Sequence, residues 1–533
     1  MDDQSFGLFL RRDVLRGSLA AGIGLLAPWS MAARAQPVAS RIRREVHDPQ
    51  AASMLELYKS AVRMMRALPP WDPSSWWFQA NIHWLPFADD PQGCYEIGCF
   101  SDLFTAAPDA DQATRVRVEA ARRLAAGEIP IAPSIGIGED RIWAKCPHGQ
   151  LDFLPWHRLY LHFFEQVVER LVGEPFALPY WNYLDPNLRD MPLPFRAELD
   201  ADGSENPLFY PDRNPLTRDP DDPSVPASQK PLIRDQDLQW ATAAQETFFE
   251  RGDVFGLTRG FSTQIEEAPH NPVHGRIGIV VVQQGQPIPL GMATPALAAR
   301  DPIFWLHHAN IDRLWEWWRT QDVAPDDPPR DPDYIWTLEP YRFASPDGRA
   351  VGLPAAASLG LVGSAYDYDT LEPLPVAPEL VASAERRAPR LVGRATEGLR
   401  VENAPAEALL EAAPGLEAAA APGGAGERWF LRLSGIRSAG VPAGVLDVHL
   451  DPESSAEVAG PPAASFAFFD APRDALGEAA HAGHDQAERV LDVTERVRAL
   501  LEEGADPGAL RITIRPAGNA PPLEIGRIEL FSR

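Results

Sequence analysis

Between residues 48 and 319 apolar positions recur mostly at helical spacing. Met54, Leu57, Tyr58, Ala61, Met64, Met65 and Leu68 mark one amphipathic helix within 48–68. Pro69-Pro70 ends it, because proline donates no backbone hydrogen bond and clashes with the preceding turn. A longer, aromatic-rich helical stretch covers 153–172, and Gly173 is suited to close it in a left-handed turn. Further helical signals fall near 109–126, at 234–248, around 270 and at 303–319. Residues 185–230, dense in Pro, Asp and Asn, read as loop, and the β-branched run Ile277–Gln283 reads as a short strand.

The pattern changes after Tyr366-Asp367-Tyr368. Residues 369–426 are rich in Pro, Ala and Glu, lack aromatics and read as a linker with room for one helix. Short alternating segments follow at Trp429–Leu433, Val445–Leu450, Ser465–Phe469, Leu510–Ile514 and Glu524–Phe531, with one helix at Val493–Glu502. Gly/Pro turns between them predict a small β-sandwich or barrel over 427–533. A chain of 533 residues exceeds one ordinary core, so the change of pattern reads as a domain boundary.

The N-terminus is set apart from both. Arg11-Arg12 precedes an apolar stretch from Leu19 to Ala33, and Ala33-Arg34-Ala35 offers a small-residue cleavage site. Residues 1–35 therefore read as a twin-arginine export signal, which predicts a periplasmic or secreted protein. The formal net charge of -26 weighs against nucleic acid and anionic membrane as partners. The chain has three cysteines, Cys94, Cys99 and Cys146. Cys94 and Cys99 are close enough for a small disulfide loop, which leaves Cys146 as the odd thiol two residues from His148.

Chemistry enters with the histidines. His148 and His157 form one set, and His270, His274, His307 and His308 form another. His270 and His274, four apart, share a face if helical. Asp312 stands four residues after His308, where a carboxylate can hold an imidazole by its other ring nitrogen. His83, upstream, completes the first set if each ion takes three ligands. Imidazole suits copper, zinc, iron and nickel, and sets without an evident ligating carboxylate point to copper or zinc. His162 would face away from His157, and His47, His449, His481 and His484 lie outside both sets.

These motifs resemble the tyrosinase, catechol oxidase and molluscan-type haemocyanin superfamily of type-3 copper proteins. His148 with Phe153-Leu154-Pro155-Trp156-His157-Arg158 and Glu165 is similar to the first copper signature, and Asp301-Pro302, Phe304-Trp305, His308 and Asp312 to the second. The resemblance implies a mainly α catalytic domain over 36–368, a four-helix bundle holding a dicopper centre. His83, His148 and His157 would hold the first copper, and His270, His274 and His308 the second, with His308 chosen over His307. O2 would be the co-substrate and a small phenol the substrate. The resemblance also implies a thioether between Cys146 and His148. It gives Asn271, with Glu266 or Glu267 just upstream, the task of taking the proton of a monophenol. The segment 427–533 resembles the β domain of plant polyphenol oxidases, which implies a lid over the site in cis. The implied activity is ortho-hydroxylation of monophenols and oxidation of o-diphenols to o-quinones. A catechol oxidase without the first step, a haemocyanin-like O2 carrier and a dizinc hydrolase are the alternatives. Loops at 185–230 and Gly291–Pro295 are expected to shape the entrance.

Overall fold

The computed structural model describes residues 41–69, 72–84, 142–143, 146–148, 152–238, 260–283, 286–320, 340–372, 389–413, 427–438, 444–455, 458, 460–469, 487–519 and 522–533. The export signal, Cys94, Cys99, the 109–126 helix, His481 and His484 lie outside them. No helix of the described residues is long and apolar enough to cross a membrane.

The helical region is built on α1 (Ala52–Ala67), α2 (Trp76–His83), α3 (Phe153–Val172), α4 (Asn271–Ile277) and α5 (Ile303–Thr320). α3 ends where Gly173 adopts φ 75° and donates to the Glu169 carbonyl. α3 and α5 bury most of their residues, including Trp156, Tyr160, Phe164, Trp305 and Trp315. Phe164 and Trp305 stack at 3.5 Å between ring centroids, which fixes how the two helices lie. The 185–230 segment is loop with short 3-10 turns, as its composition predicts. At 234–248 the described part is a 3-10 turn, Asp235–Leu238. The β-branched run starts two residues late: Ile277 still ends α4, and the strand Ile279–Gln283 pairs with Gln286–Leu290.

A second apolar core lies under the strands β1 (Arg390–Ala395), β2 (Leu399–Val401), β3 (Ala406–Ala412), β4 (Trp429–Ser438), β5 (Val445–Pro452), β6 (Ala464–Ala467), β7 (Ala487–Asp492), β8 (Leu510–Pro516), β9 (Leu523–Ile525) and β10 (Arg527–Ser532). They run in the order β6-β5-β8-β3-β1-β10-β4-β9-β2, with β7 on β4, and α6 (Thr494–Glu502) packs beside β4 and β5. Two expectations are corrected here. The 369–426 linker contains three strands, because Val392, Ala395, Leu399, Val401 and Leu410 alternate into this core despite the Ala/Glu-rich composition. Of the sandwich and the barrel, the two separate sheets of a sandwich are not formed: the strands make one continuous ladder, since β3 pairs with both β8 and β1.

Candidate metal centre

Four helices and one short segment bring histidines into a single buried volume. α2 carries His83 at its end; its start is capped by Ser75, whose Oγ accepts from the Phe78 N–H at 3.1 Å. The Cys146–His148 segment is tied to it, because the Cys146 N–H donates to the His83 carbonyl at 3.3 Å. α3 supplies His157 from the start of its second turn and α5 supplies His307 and His308. His270 precedes α4 and His274 lies within it, and the four-residue spacing brings their ring centroids to 4.4 Å.

Two groups result. His83, Cys146, His148 and His157 offer ligand atoms within 4.8 Å of one another, and so do His270, His274, His307 and His308. The groups adjoin: His157 stacks on His308 at 4.4 Å and 11°, and His148 lies 5.7 Å from His270. The rings are held from behind. His83 Nδ1 donates to the Pro295 carbonyl at 2.9 Å, His157 Nδ1 to the Phe153 carbonyl at 2.7 Å and His274 Nδ1 to the Met292 carbonyl at 3.0 Å. A carbonyl oxygen only accepts, so each Nδ1 carries the proton and each Nε2 keeps its lone pair for a metal. His270 Nδ1 is held likewise by Asn271 Oδ1 at 2.8 Å.

The donor set fits a pair of bound cations. His83 Nε2 and His270 Nε2 are buried with no hydrogen-bond partner among the described residues. His274 Nε2 and His308 Nε2 face each other at 3.4 Å, and His308 Nδ1 is bare as well. Burial holds the pKa of His83 and of His270 down at about 3, and pushes His148, His157, His274, His307 and His308 well below the usual range. All seven imidazoles are thus neutral, the form that ligates metal. Bare buried nitrogens are costly without a partner. All-imidazole donors with one sulfur suit copper better than an oxygen-seeking ion.

Every histidine expected to ligate reaches the site, and His307 joins them. Its Nδ1 lies 3.0 Å from the Tyr183 hydroxyl, and its Nε2 is buried without a partner among the described residues. Cys146 Sγ sits between two rings, 3.2 Å from His157 Nε2 and 3.5 Å from His148 Nε2. Burial, then Glu266 and Asp152, raise its thiol pKa. Glu266 is buried just before His270, and Asn271 Nδ2 is a buried donor without a partner among the described residues. His162 points elsewhere, its Nε2 2.6 Å from Gln166 Nε2.

Two other expectations change. The Asp312 carboxylate holds no imidazole among the described residues. It accepts from Arg43 at 2.9 Å, from Arg158, and from the Tyr366 and Tyr368 hydroxyls at 2.6 and 2.7 Å. Two guanidiniums are stronger donors than a neutral ring. Burial opposes the charge, but Arg158 and Arg43 outweigh it and hold the Asp312 pKa low. The residue therefore locks α5 to α3 and positions His308 against His157 through the helices. The Gly291–Pro295 loop, expected at the entrance, buttresses ligands instead through the Met292 and Pro295 carbonyls. It can approach because Gly278 has no Cβ, which would lie 2.0 Å from the Ala293 nitrogen.

Phe469, just after β6, reads in the sequence only as the end of a strand segment, with no sign of a place at the site. Its ring stacks on His274 at 3.8 Å and 22°, meets His148 edge-on at 5.0 Å, and belongs to the helical core rather than the β core. The nearest signal was the aromatic run Phe466, Phe468, Phe469, which alone does not say which core each ring enters.

A family model described as the common central domain of tyrosinase matches residues 73–321, and a domain of unknown function (DUF7868) matches 379–533. A tyrosinase of Hahella sp. strain CCB-MM4 is 27% identical over 411 residues, 72% of this chain and 76% of that protein. Aureusidin synthase of Antirrhinum majus is 28% identical over 309 residues, 55% of this chain, so that the match spans only 46% of that plant protein. The solved structure of latent apple tyrosinase superposes with a TM-score of 0.55 at 21% identity, over 93% of this chain and 98% of that one, which shows a shared fold. With paired histidine groups inside the matched region, residues 73–321 form a domain of the tyrosinase and polyphenol oxidase family of type-3 copper oxidoreductases.

Proposed function

We propose that this protein uses two copper ions and O2 to hydroxylate monophenols at the ortho position and to oxidise o-diphenols to o-quinones. The observation that supports this most is the adjoining pair of neutral histidine groups, their rings oriented from behind and their free nitrogens facing inward. In this reading His83, His148 and His157 hold the first ion and His270, His274 and His308 the second, in a bundle of the helices that carry them. Copper supplies the one-electron redox chemistry that zinc lacks. The protein holds the ligands, keeps out bulk water with Phe153, Phe304 and Phe469, and orients the phenol ring.

Monophenol turnover also needs a base. Glu266 accepts the phenol proton through a water held with the free Asn271 Nδ2. A diphenol needs this help less, so Asn271→Gly should lower tyramine turnover more than catechol turnover. Equal loss of both removes the role. Metal analysis combined with catechol and tyramine assays under O2 tests the whole reading. Catechol turnover alone makes the protein a catechol oxidase; O2 uptake without turnover of either makes it a carrier; zinc alone ends the copper reading.

The β domain acts as a lid in cis. Its Phe469 lies over the ligand rings where a substrate ring would stack, so the full chain is latent until the lid is displaced or cut away. The Arg11-Arg12 leader takes the protein out of the cytoplasm by the twin-arginine route. Limited proteolysis should raise catechol turnover; unchanged turnover after complete cleavage removes the lid role.

A further inference from the structure

The contact between the lid and the catalytic region contains more than hydrophobic packing. Asp447 on β5 accepts from Arg234 at 2.7 and 3.0 Å and from Arg276 at 2.7 Å, and Arg276 also reaches Asp237 at 2.9 Å. Beside this network lies a cavity of about 510 Å3 with walls from both regions: Arg189, Lys230 and Arg234 on one side, Asp447, His449 and Arg515 on the other. In a chain of net charge -26, a basic cavity stands out.

Its charge is not balanced from within. Arg234 is engaged by Asp447. Arg189 pairs with Asp235 at 2.6 Å, but that carboxylate is 89% exposed and therefore screened. Lys230 and Arg515 have no ion-pair partner among the described residues. Three nitrogens at the cavity wall are also unfilled: Arg189 Nε and Arg515 Nε, both donors, and His449 Nδ1, a donor in the tautomer that protonates it, are buried without a hydrogen-bond partner among the described residues. His449 is only 5% exposed, so bulk water does not readily serve it. Unspent positive charge with several convergent donors is the chemistry that recognises a tetrahedral oxyanion, which offers acceptors in several directions.

The geometry points to a binding site for a small phosphate-type oxyanion, free or as a monoester, clamped between the catalytic region and the lid. The cavity exceeds a bare phosphate and has room for an organic tail. Both walls exist together only while the lid is docked, so such a ligand binds the closed state and favours latency. This regulatory consequence rests on the lid reading above; the binding itself does not.

The test uses the full copper-loaded chain, with inorganic phosphate and glycerol phosphate in separate arms and chloride at matched ionic strength. Either phosphate should raise the melting temperature by several degrees over chloride. The shift should vanish in the Arg189→Gln/Arg515→Gln double variant and survive in Arg515→Lys, which keeps the charge. At a concentration equal to its dissociation constant, a closed-state ligand halves the open population, so catechol turnover should fall about twofold before proteolysis and not after it. The tighter arm identifies the free ion or the ester as the natural class. No shift in either arm overturns the site, and an equal shift in the double variant means an adventitious ion only. A phosphate-dependent rise in turnover overturns the clamp. Proteolysis that leaves turnover unchanged strikes the lid reading instead, while the melting shift still reports on the site.

Discussion

The two histidine groups are built differently although each offers similar atoms. The second draws all four members from α5 and the turn that becomes α4, and all four are fully buried. The first gathers from α2, α3 and a three-residue segment, includes a sulfur, and has one member, His148, that is only partly buried. Helical spacing sets the His270/His274 pair of the second group before packing adds α5, whereas tertiary packing must bring three separate segments together for the first. The β domain reflects the same asymmetry: Phe469 stacks flat on His274 of the second group and touches His148 of the first only by an edge.

The sharpest way to break the comparison is to delete one ligand from each group. His270→Ala and His148→Ala should each abolish catechol turnover and leave about one copper per chain by metal analysis. The second group, half of it set by local spacing, should keep its ion more tightly in His148→Ala than the first group does in His270→Ala, and equal retention would erase the distinction. Asp312→Ala comes next, because it removes the shared anchor of α3 and α5. Loss of one partner of a buried ion pair costs about 3–5 kcal/mol, readable by denaturant unfolding. Copper should be lost from both groups, since His157 and His308 face each other across that helix pair.

Cys146→Ala separates the groups more gently. Copper affinity of the first group should fall about 10–100-fold with the second unaffected. Peptide mapping of the copper-loaded parent tests the proposed thioether to His148; a free thiol at Cys146, or a crosslink to the nearer His157, excludes that bond. Phe469→Ala should have the smallest effect and the opposite sign. Loss of its coupling to docking, about 1–1.5 kcal/mol, raises the turnover of the uncleaved chain about tenfold and leaves the cleaved enzyme unchanged. Unchanged turnover in the uncleaved chain would show that the ring does not block the site.

Legibility in the sequence follows the same physics. α3, α5 and the i, i+4 pair His270/His274 were readable because their periodicity is local. The strands within 390–412 were not, because their apolar positions are sparse among Ala and Glu and acquire meaning only against β8 and β10. Asp312 was assigned an imidazole because His308 is near in sequence, while Arg43, distant in sequence, supplies one of its partners.

Residue type and short-range spacing establish which side chains can ligate metal and which helices carry most of them. Tertiary packing decided that Asp312 locks helices rather than a ring, and that Phe469 leaves its own domain's core to cover His274. Each of these depends on contacts between residues far apart in the chain, where the strongest available donor or the best-fitting apolar surface wins and local pattern carries no record of it.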